Sequence, residues 1–588
     1  MSVFWTLRPA QPPRWTAVLF VLCVSVALGL YFLTGLFDFV SFDDPSYVSR
    51  NPAVLAGITW RSALEAFSLR QALYWHPLTT LSLLVDGRMF RGWAGGYHVV
   101  NALWHGGNVA LLFLLALRLT GSRAAAVLCG LLLAAHPVHV ESVAWISERK
   151  DVLSTFFGLA SIHYYIGWRT ARRPATAAAM YACYALSLLA KPTFVIAPAL
   201  LLLLDYWPLG RLAFPPKARR VAELLREKVL FIAFGTVSTV MTFATHSETR
   251  DRLDPDLWLK LANASASIAK YLALLVFPHE MAIVYPFPDS VPLWQSLGGG
   301  ALALGLTGLC VWQARLRPYL LFGWLWFLCA LAPVLMPPRF GLHVALADRW
   351  TYVPYMGLYL ALGALCAERL RAGWSRRVRV AAVLAGGAAL TLLAVAQQRQ
   401  LDVWRCSESL YGHALRITTG SHMVLNNYGV LKLQQGDVQA GERAYLDALA
   451  IFPDFALCKS NLGALRMGQG RTAEAMELLW QAASVMARQS QAYDCYLGLA
   501  DGLVREGRLK EAEHFLAAAV RENPHSPEAY LRWGRLAQRR GDISFAHAFF
   551  NDLAGKGTRV GTVEDLAAIM AARAEASRSP AAGPEPAR

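Results

Sequence analysis

Long apolar runs alternate with short basic connections from residue 15 to about residue 396, and a repeat of 34 residues then takes over. A bilayer span needs roughly 20 mostly apolar residues, and the runs at 15–37, 97–119, 124–143, 152–168, 319–335 and 378–396 approach that length. Such a pattern excludes a single ordinary soluble domain. It predicts an all-α polytopic membrane body over 1–396, a linker with a half-repeat cap over 397–421, stacked repeats over 422–560, and a tail over 561–588 that is disordered at its end. Composition agrees, because a chain of 588 residues with 55% hydrophobic and 16% charged residues is too apolar to be wholly soluble.

The formal charge of +16 is informative only through its placement. A basic total can mean nucleic acid, but here the basic residues gather between apolar runs, the positive-inside pattern, so no nucleic-acid partner is expected. Arg8, Arg14, Arg118, Arg123, Arg169, Arg172, Arg173, the stretch 211–228, Arg315, Arg317 and the stretch 369–379 mark one side of the membrane. Segments 38–96, 148–151, 246–295 and 336–350, with Lys191, then fall on the other. For the alternation to hold, the apolar segment 261–277 has to be re-entrant or interfacial, leaving about eleven crossings of the length a bilayer demands. An odd number with a cytoplasmic N-terminus in an inner membrane places the repeats outside the cytoplasm. The first run is too long for a typical signal h-region of about 7–15 residues, so it reads as a retained span. Nine scattered cysteines without a CxxC motif indicate neither a disulfide framework nor a zinc site.

The repeat is read from Gly436, Gly470, Gly507 and Gly541, spaced by 34, 37 and 34 residues, with Gly429, Gly463 and Gly534 seven residues before their partners. Small residues follow each turn glycine (Gly441, Ala475, Ala512, Ala546), bulky ones come four later (Tyr445, Leu479, Leu516, Phe550), and Pro453 and Pro524 close two units. A period of this length means stacked helical pairs. The pattern resembles the tetratricopeptide repeat, with about four units and a half repeat at 407–418. Such arrays bind extended peptide in a concave groove and carry no chemistry of their own, so docking of an acceptor protein or peptide is expected of them, with a spacer or oligomerisation module as the alternative.

Chemistry has to come from the outward loops. Asp43 and Asp44 directly follow the first span, where paired acids are costly to hold. Adjacent carboxylates raise one another's pKa or share a divalent cation; two solvated loop acids are the bland alternative. His76 and His98 stand near the same face. A second cluster contains His136, His139, Glu141, Glu148, Arg149, Lys150 and Asp151. Its two histidines are three apart, unlike the HExxH zinc arrangement, so a polar seam facing the bundle interior is the better reading. Arg149 and Lys150 suit a phosphate, Arg by its bidentate fork and Lys as a point charge; a solvated turn between spans is the alternative.

Several motifs occur in a fixed order: Phe42-Asp43-Asp44 with Tyr47-Val48 and Asn51-Pro52; Pro77-Leu78-Thr79, Tyr97-His98, Asn101 and His105; His136-Pro137, His139, Glu141-Ser142-Val143-Ala144, Arg149 and Asp151; Ala190-Lys191-Pro192; Asp205-Tyr206-Trp207-Pro208; and Ala347-Asp348-Arg349, Tyr352-Val353-Pro354 and Gly357. In this order, and followed by the repeats, they resemble the transmembrane and tetratricopeptide-repeat-containing O-mannosyltransferases and their bacterial relatives over about residues 36–555. That resemblance implies a GT-C glycosyltransferase, which takes a sugar, mannose or a similar hexose, from a polyprenyl-phosphate carrier and passes it to a protein hydroxyl. It implies Asp43 or Asp44 as catalytic acid/base with inversion at the anomeric carbon. Arg149, Lys150, Lys191 and Arg349 are expected around the donor phosphate, and His76, His98, His136, His139, Glu141, Glu148, Asp151 and Asp348 along the site. A divalent cation at the Asp43/Asp44 pair is an open expectation. Two other functions fit the composition: a non-enzymatic envelope scaffold presenting the repeats, and a lipid-linked glycan ligase or polymerase. The charged residues at the mouth of the outward loops favour the transferase over a plain anchor.

Overall fold

A computed structural model describes residues 14–68, 75–246, 256–335, 344–487, 492–523 and 527–541. Arg8, Pro524, Ala546, Phe550 and the tail over 561–588 lie outside the described residues. The chain divides into two compact units, Met1–Thr419 and Gly420–Arg588.

Among the described residues, the regular structure of the first unit is helical apart from one short antiparallel pairing of Tyr285–Pro286 with Val344–Leu346. Five of its helices among the described residues are long and apolar enough to cross a membrane, and up to seven crossings result if each of two bent pairs counts as one. Pro174–Ala190 and Pro192–Tyr206 are shorter apolar helices. The chain is therefore a membrane protein with an all-α body. The apolar run at 124–143 is not one straight span: Arg123–Ala135 ends at His136, and the chain turns by 56° into Pro137–Ala144. Pro137 supplies the reason, since it lacks the N–H of a helix interior and pushes its predecessor into extended backbone; His136 sits at ψ 124°.

The connections gather at two ends. At one, Arg371 donates to the carbonyl of Thr120, Arg317 pairs with Glu368 at 2.9 Å, and Tyr206 donates to Ala314 O at 2.7 Å. Arg211 and Arg169 also meet there on Glu227, at 2.7 and 3.1 Å. These are the connections that the charge pattern groups on one side. At the other end, residues 38–44 meet 147 and 405–407, Lys191 meets 148–151, and 281–285 meet 348 and 413. Gln398 donates to Leu30 O at 2.7 Å, so the helices Arg14–Leu30 and Arg376–Val403 leave the bundle at the same end. Two helices leaving at one end require an odd total of passes if the first begins at the opposite end.

Leu257–Val276 is a continuous helix, which removes the re-entrant hairpin from the two alternatives for 261–277. Asn263 and Tyr271 donate to Ala345 O and Ala347 O, and His136 bonds Leu275 O. Ser265 also donates to Ser296 O on the following helix, Leu293–Gln313, and by length and composition Leu257–Val276 could itself cross a membrane.

The second unit stacks helical pairs: His422–Gln434 with Val438–Ile451, Ala456–Gly468 with Thr472–Met486, and Tyr493–Arg505 with Leu509–Glu522, followed by Pro527–Arg539. Gly436, Gly470 and Gly507 adopt φ of 83°, 79° and 77°, the left-handed conformation that ends a helix at little cost only for glycine. A Cβ on Gly463 would stand 2.8 Å from Leu479, so glycine there lets the paired helices touch. Ser407–Ile417, expected to cap the repeats, falls within the first compact unit.

Candidate functional site

The two acids after the first span have different surroundings. Asp44 is 0% exposed: Val40 N–H donates to its Oδ2 at 3.0 Å, and Ser147 donates to its Oδ1 from both N–H, at 3.0 Å, and Oγ, at 2.5 Å. Burial pushes its carboxyl up to about 6 while these donors pull the other way. Asp44 thus ties the first loop to the 145–148 turn. Asp43 is partly exposed. Burial raises its pKa, Lys150 opposes the rise, and Glu148 adds to it. Both Asp44 oxygens accept hydrogen bonds, Oδ2 from Val40 and Oδ1 from Ser147. Among the described residues no group of three or more His, Cys, Asp and Glu is placed to hold a metal.

Beside Asp43 stands a cluster of three bases around one carboxylate. Glu148 receives Lys150 and Lys191, each at 3.1 Å, and Arg349 at 3.5 Å. Burial alone would raise the Glu148 carboxyl, but the three cations hold it well below the usual range. Lys191 also reaches Asp151 at 2.5 Å, and Arg349 pairs with Glu141. Trp145, 1% exposed, lies under two of the cations, with Lys150 Nζ 5.7 Å and the Arg349 guanidinium 5.5 Å from its ring; Lys150 also sits 4.8 Å from the Tyr47 ring. Such contacts contribute most where the cation is desolvated. Burial raises the Asp151 carboxyl against the pull of Lys191. Lys191 and Arg349 are the more accessible cations, with side chains 22% and 13% exposed.

Arg149 does not join this group. Its side chain is 0% exposed and its donors are consumed by Asp86 at 2.7 Å, Ser82 Oγ and Tyr97 O at 2.8 Å each, and Asn101. Arg149, Lys150 and Asp151 form the buried first turn of the helix Arg149–Ala171, which excludes a solvated turn as well. The histidines are also drawn elsewhere. His136 bonds Leu275 O and His139 bonds the Tyr359 hydroxyl, both at 3.0 Å, inside a cluster with Tyr352 and Tyr355. His98 approaches Asp38 O at 3.3 Å and so braces the first loop, while buried His76 immediately precedes the helix Pro77–Phe90 without a side-chain capping bond to its first turn. Asp348 accepts a bond from Tyr285 at 2.9 Å, and burial, reinforced by Glu141, raises its pKa well above the usual value. Trp145 and Ser147 stand inside the sequence motif that drew attention to Glu148, yet periodicity and spacing assign neither a role. Their roles arise from contacts with residues 42–44 and 349, which are distant in sequence.

A tetratricopeptide-repeat family profile matches residues 494–536. The chain is 22% identical to the human protein O-mannosyl-transferase TMTC3 over 518 residues, covering 79% of this chain and 55% of that protein. Mouse TMTC3 is 21% identical over 578 residues, 88% of this chain and 61% of the relative. The protein O-mannosyl-transferase tmtc2 of Xenopus laevis is 34% identical over 155 residues, 24% of this chain and 18% of that protein. This chain spans little more than half the length of the curated TMTC3 relatives it matches.

Proposed function

We propose that this chain, homologous to the protein O-mannosyl-transferases of the TMTC group, moves a hexose from a polyprenyl-phosphate carrier to a protein hydroxyl. The observation that carries this reading is the meeting of a partly exposed Asp43 with Lys150 and Arg349 at the end of the bundle where the first loop converges. Asp43 is the base. Its carboxylate takes the proton from the acceptor hydroxyl as that oxygen attacks the anomeric carbon from the face opposite the phosphate. The bond between the anomeric carbon and the phosphate oxygen breaks, configuration inverts, and polyprenyl phosphate departs with the electron pair. Negative charge grows on the departing phosphate, and Lys150, Lys191 and Arg349 stabilise it in a site where fixed charges act with little reorganisation. Glu148 keeps those three cations together before the donor arrives. Asp44 acts through Asp43, holding the loop against Ser147. The repeats dock the acceptor segment and supply proximity.

The scaffold reading fits the repeats equally well but gives no reason for three cations gathered around Glu148 beside a partly exposed acid. The test is transfer by the full chain in proteoliposomes containing a short-chain polyprenyl-phosphate mannose and hydroxyl-bearing acceptor protein. A mass increase of one hexose on the acceptor is expected. Donor binding and transfer both absent, with acceptor binding intact, would favour the scaffold.

A further inference from the structure

The chain between the first span and Asp43 is held from outside by the segment that leads into the repeats. Gln398 donates to Leu30 O at 2.7 Å, Asp38 N–H donates to Arg405 O at 3.0 Å, and Ser41 N–H donates to Ser407 Oγ at 2.8 Å. The Ser41 and Tyr411 hydroxyls meet at 3.3 Å. The two strands of chain run alongside each other in the same direction, from 30 to 41 and from 398 to 407. Aromatic contacts continue the bracing: the Trp404 ring lies 5.7 Å from Trp145, whose other contacts are Phe42 at 5.5 Å and the cations Lys150 and Arg349. Trp404 is 2% and Ser407 8% exposed, so these contacts are shielded from competing water. His413, on the same helix as Ser407, bonds Met281 O at 3.0 Å, next to the loop whose Tyr285 reaches Asp348.

We infer that Trp404, Ser407 and Tyr411 are positioning residues of the transfer site, fixing the backbone of residues 38–41 and with it the direction of the Asp43 carboxylate. The inference rests on the transferase reading for its catalytic consequence, though the bracing itself does not. Ser41 is two residues from Asp43, and Val40 donates to Asp44, so a slack 38–41 segment displaces both acids. It also makes the helix Ser407–Ile417 part of the site rather than a mere cap for the repeats, since its first residue bonds the first loop.

The test uses the full chain with Ser407→Ala, Ser407→Thr, Trp404→Ala and Trp404→Phe. Hydrogen exchange over 38–46 should quicken about 2- to 10-fold in Ser407→Ala, the size of a lost hydrogen bond, and return to the parental rate in Ser407→Thr, which keeps the hydroxyl. With loosened geometry, kcat of Ser407→Ala should fall roughly 10- to 100-fold while its donor KM stays near the parental value, because Ser407 contacts the first loop and not the cations. Trp404→Ala should lose more than Trp404→Phe. Parental exchange over 38–46 in Ser407→Ala would overturn the bracing whatever the activity, and quickened exchange with unchanged kcat would overturn the positioning role. A parent chain that transfers nothing sinks the transferase reading separately, with the exchange result still deciding the bracing.

Discussion

Replacing Arg149 by glutamine should damage the fold, not the donor site. The guanidinium is fully buried and pairs with Asp86, whose side chain is 4% exposed, at 2.7 Å, while Ser82, Tyr97 and Asn101 accept its remaining bonds. Removing one partner of such a pair strands a buried charge, which costs about 3–5 kcal/mol. At 1.4 kcal/mol per tenfold, that is roughly a hundred- to several-thousand-fold in the ratio of folded to unfolded chain. The full chain in nanodiscs, followed by thermal unfolding and by binding of a short-chain polyprenyl-phosphate sugar, separates the alternatives. Arg149→Gln should unfold at clearly lower temperature, and the fraction that remains folded should bind donor as the parent does. The double change Arg149→Met with Asp86→Leu should recover most of the stability, since an apolar pair of similar volume commonly equals or betters a buried ion pair. A variant with parental stability and donor affinity lowered tenfold or more would refute this and return Arg149 to the phosphate.

Transfer should be lost as pH falls, because the base must be ionised; burial raises the Asp43 pKa, so the midpoint lies above the ordinary carboxylate value of 3.8. Lys150→Met should move that midpoint further up, since Lys150 favours the charged form, and an unmoved pH–rate profile would separate Lys150 from Asp43. Glu148→Gln leaves Lys150, Lys191 and Arg349 without their shared carboxylate and should destabilise the full chain by about 3–5 kcal/mol in thermal unfolding; an unchanged melting profile would show that the cluster is held by other contacts.

Local pattern carried much of the architecture. The glycine spacing at 436, 470 and 507 identifies the helical pairs because a left-handed turn and a close helix approach both demand glycine, and each demand recurs at fixed offset. The basic connections likewise come together at one end, as Arg371 with Thr120 and Arg317 with Glu368 illustrate. Long-range pairing was not legible. Arg149 beside Lys150 looks like one basic patch, yet successive residues on a helix face different ways: Arg149 turns to Asp86 and Asn101, Lys150 to Glu148. His136 and His139 look like ligands by type, but the partners that occupy them, Leu275 and Tyr359, lie on elements far along the chain. The difference between Asp43 and Asp44 depends in the same way on Ser147, which no spacing rule connects to them.

Asp43, and not its buried neighbour, is the group proposed to take the acceptor proton. Asp43→Asn keeps shape and removes only the charge, so the full chain should retain its thermal stability and donor binding and lose about 10²–10⁴ in transfer rate. The most direct measurement is therefore hexose transfer by the parent and by Asp43→Asn in proteoliposomes, with donor affinity determined on the same samples. Loss of transfer at unchanged donor affinity is the predicted result; near-parental transfer by Asp43→Asn would contradict it.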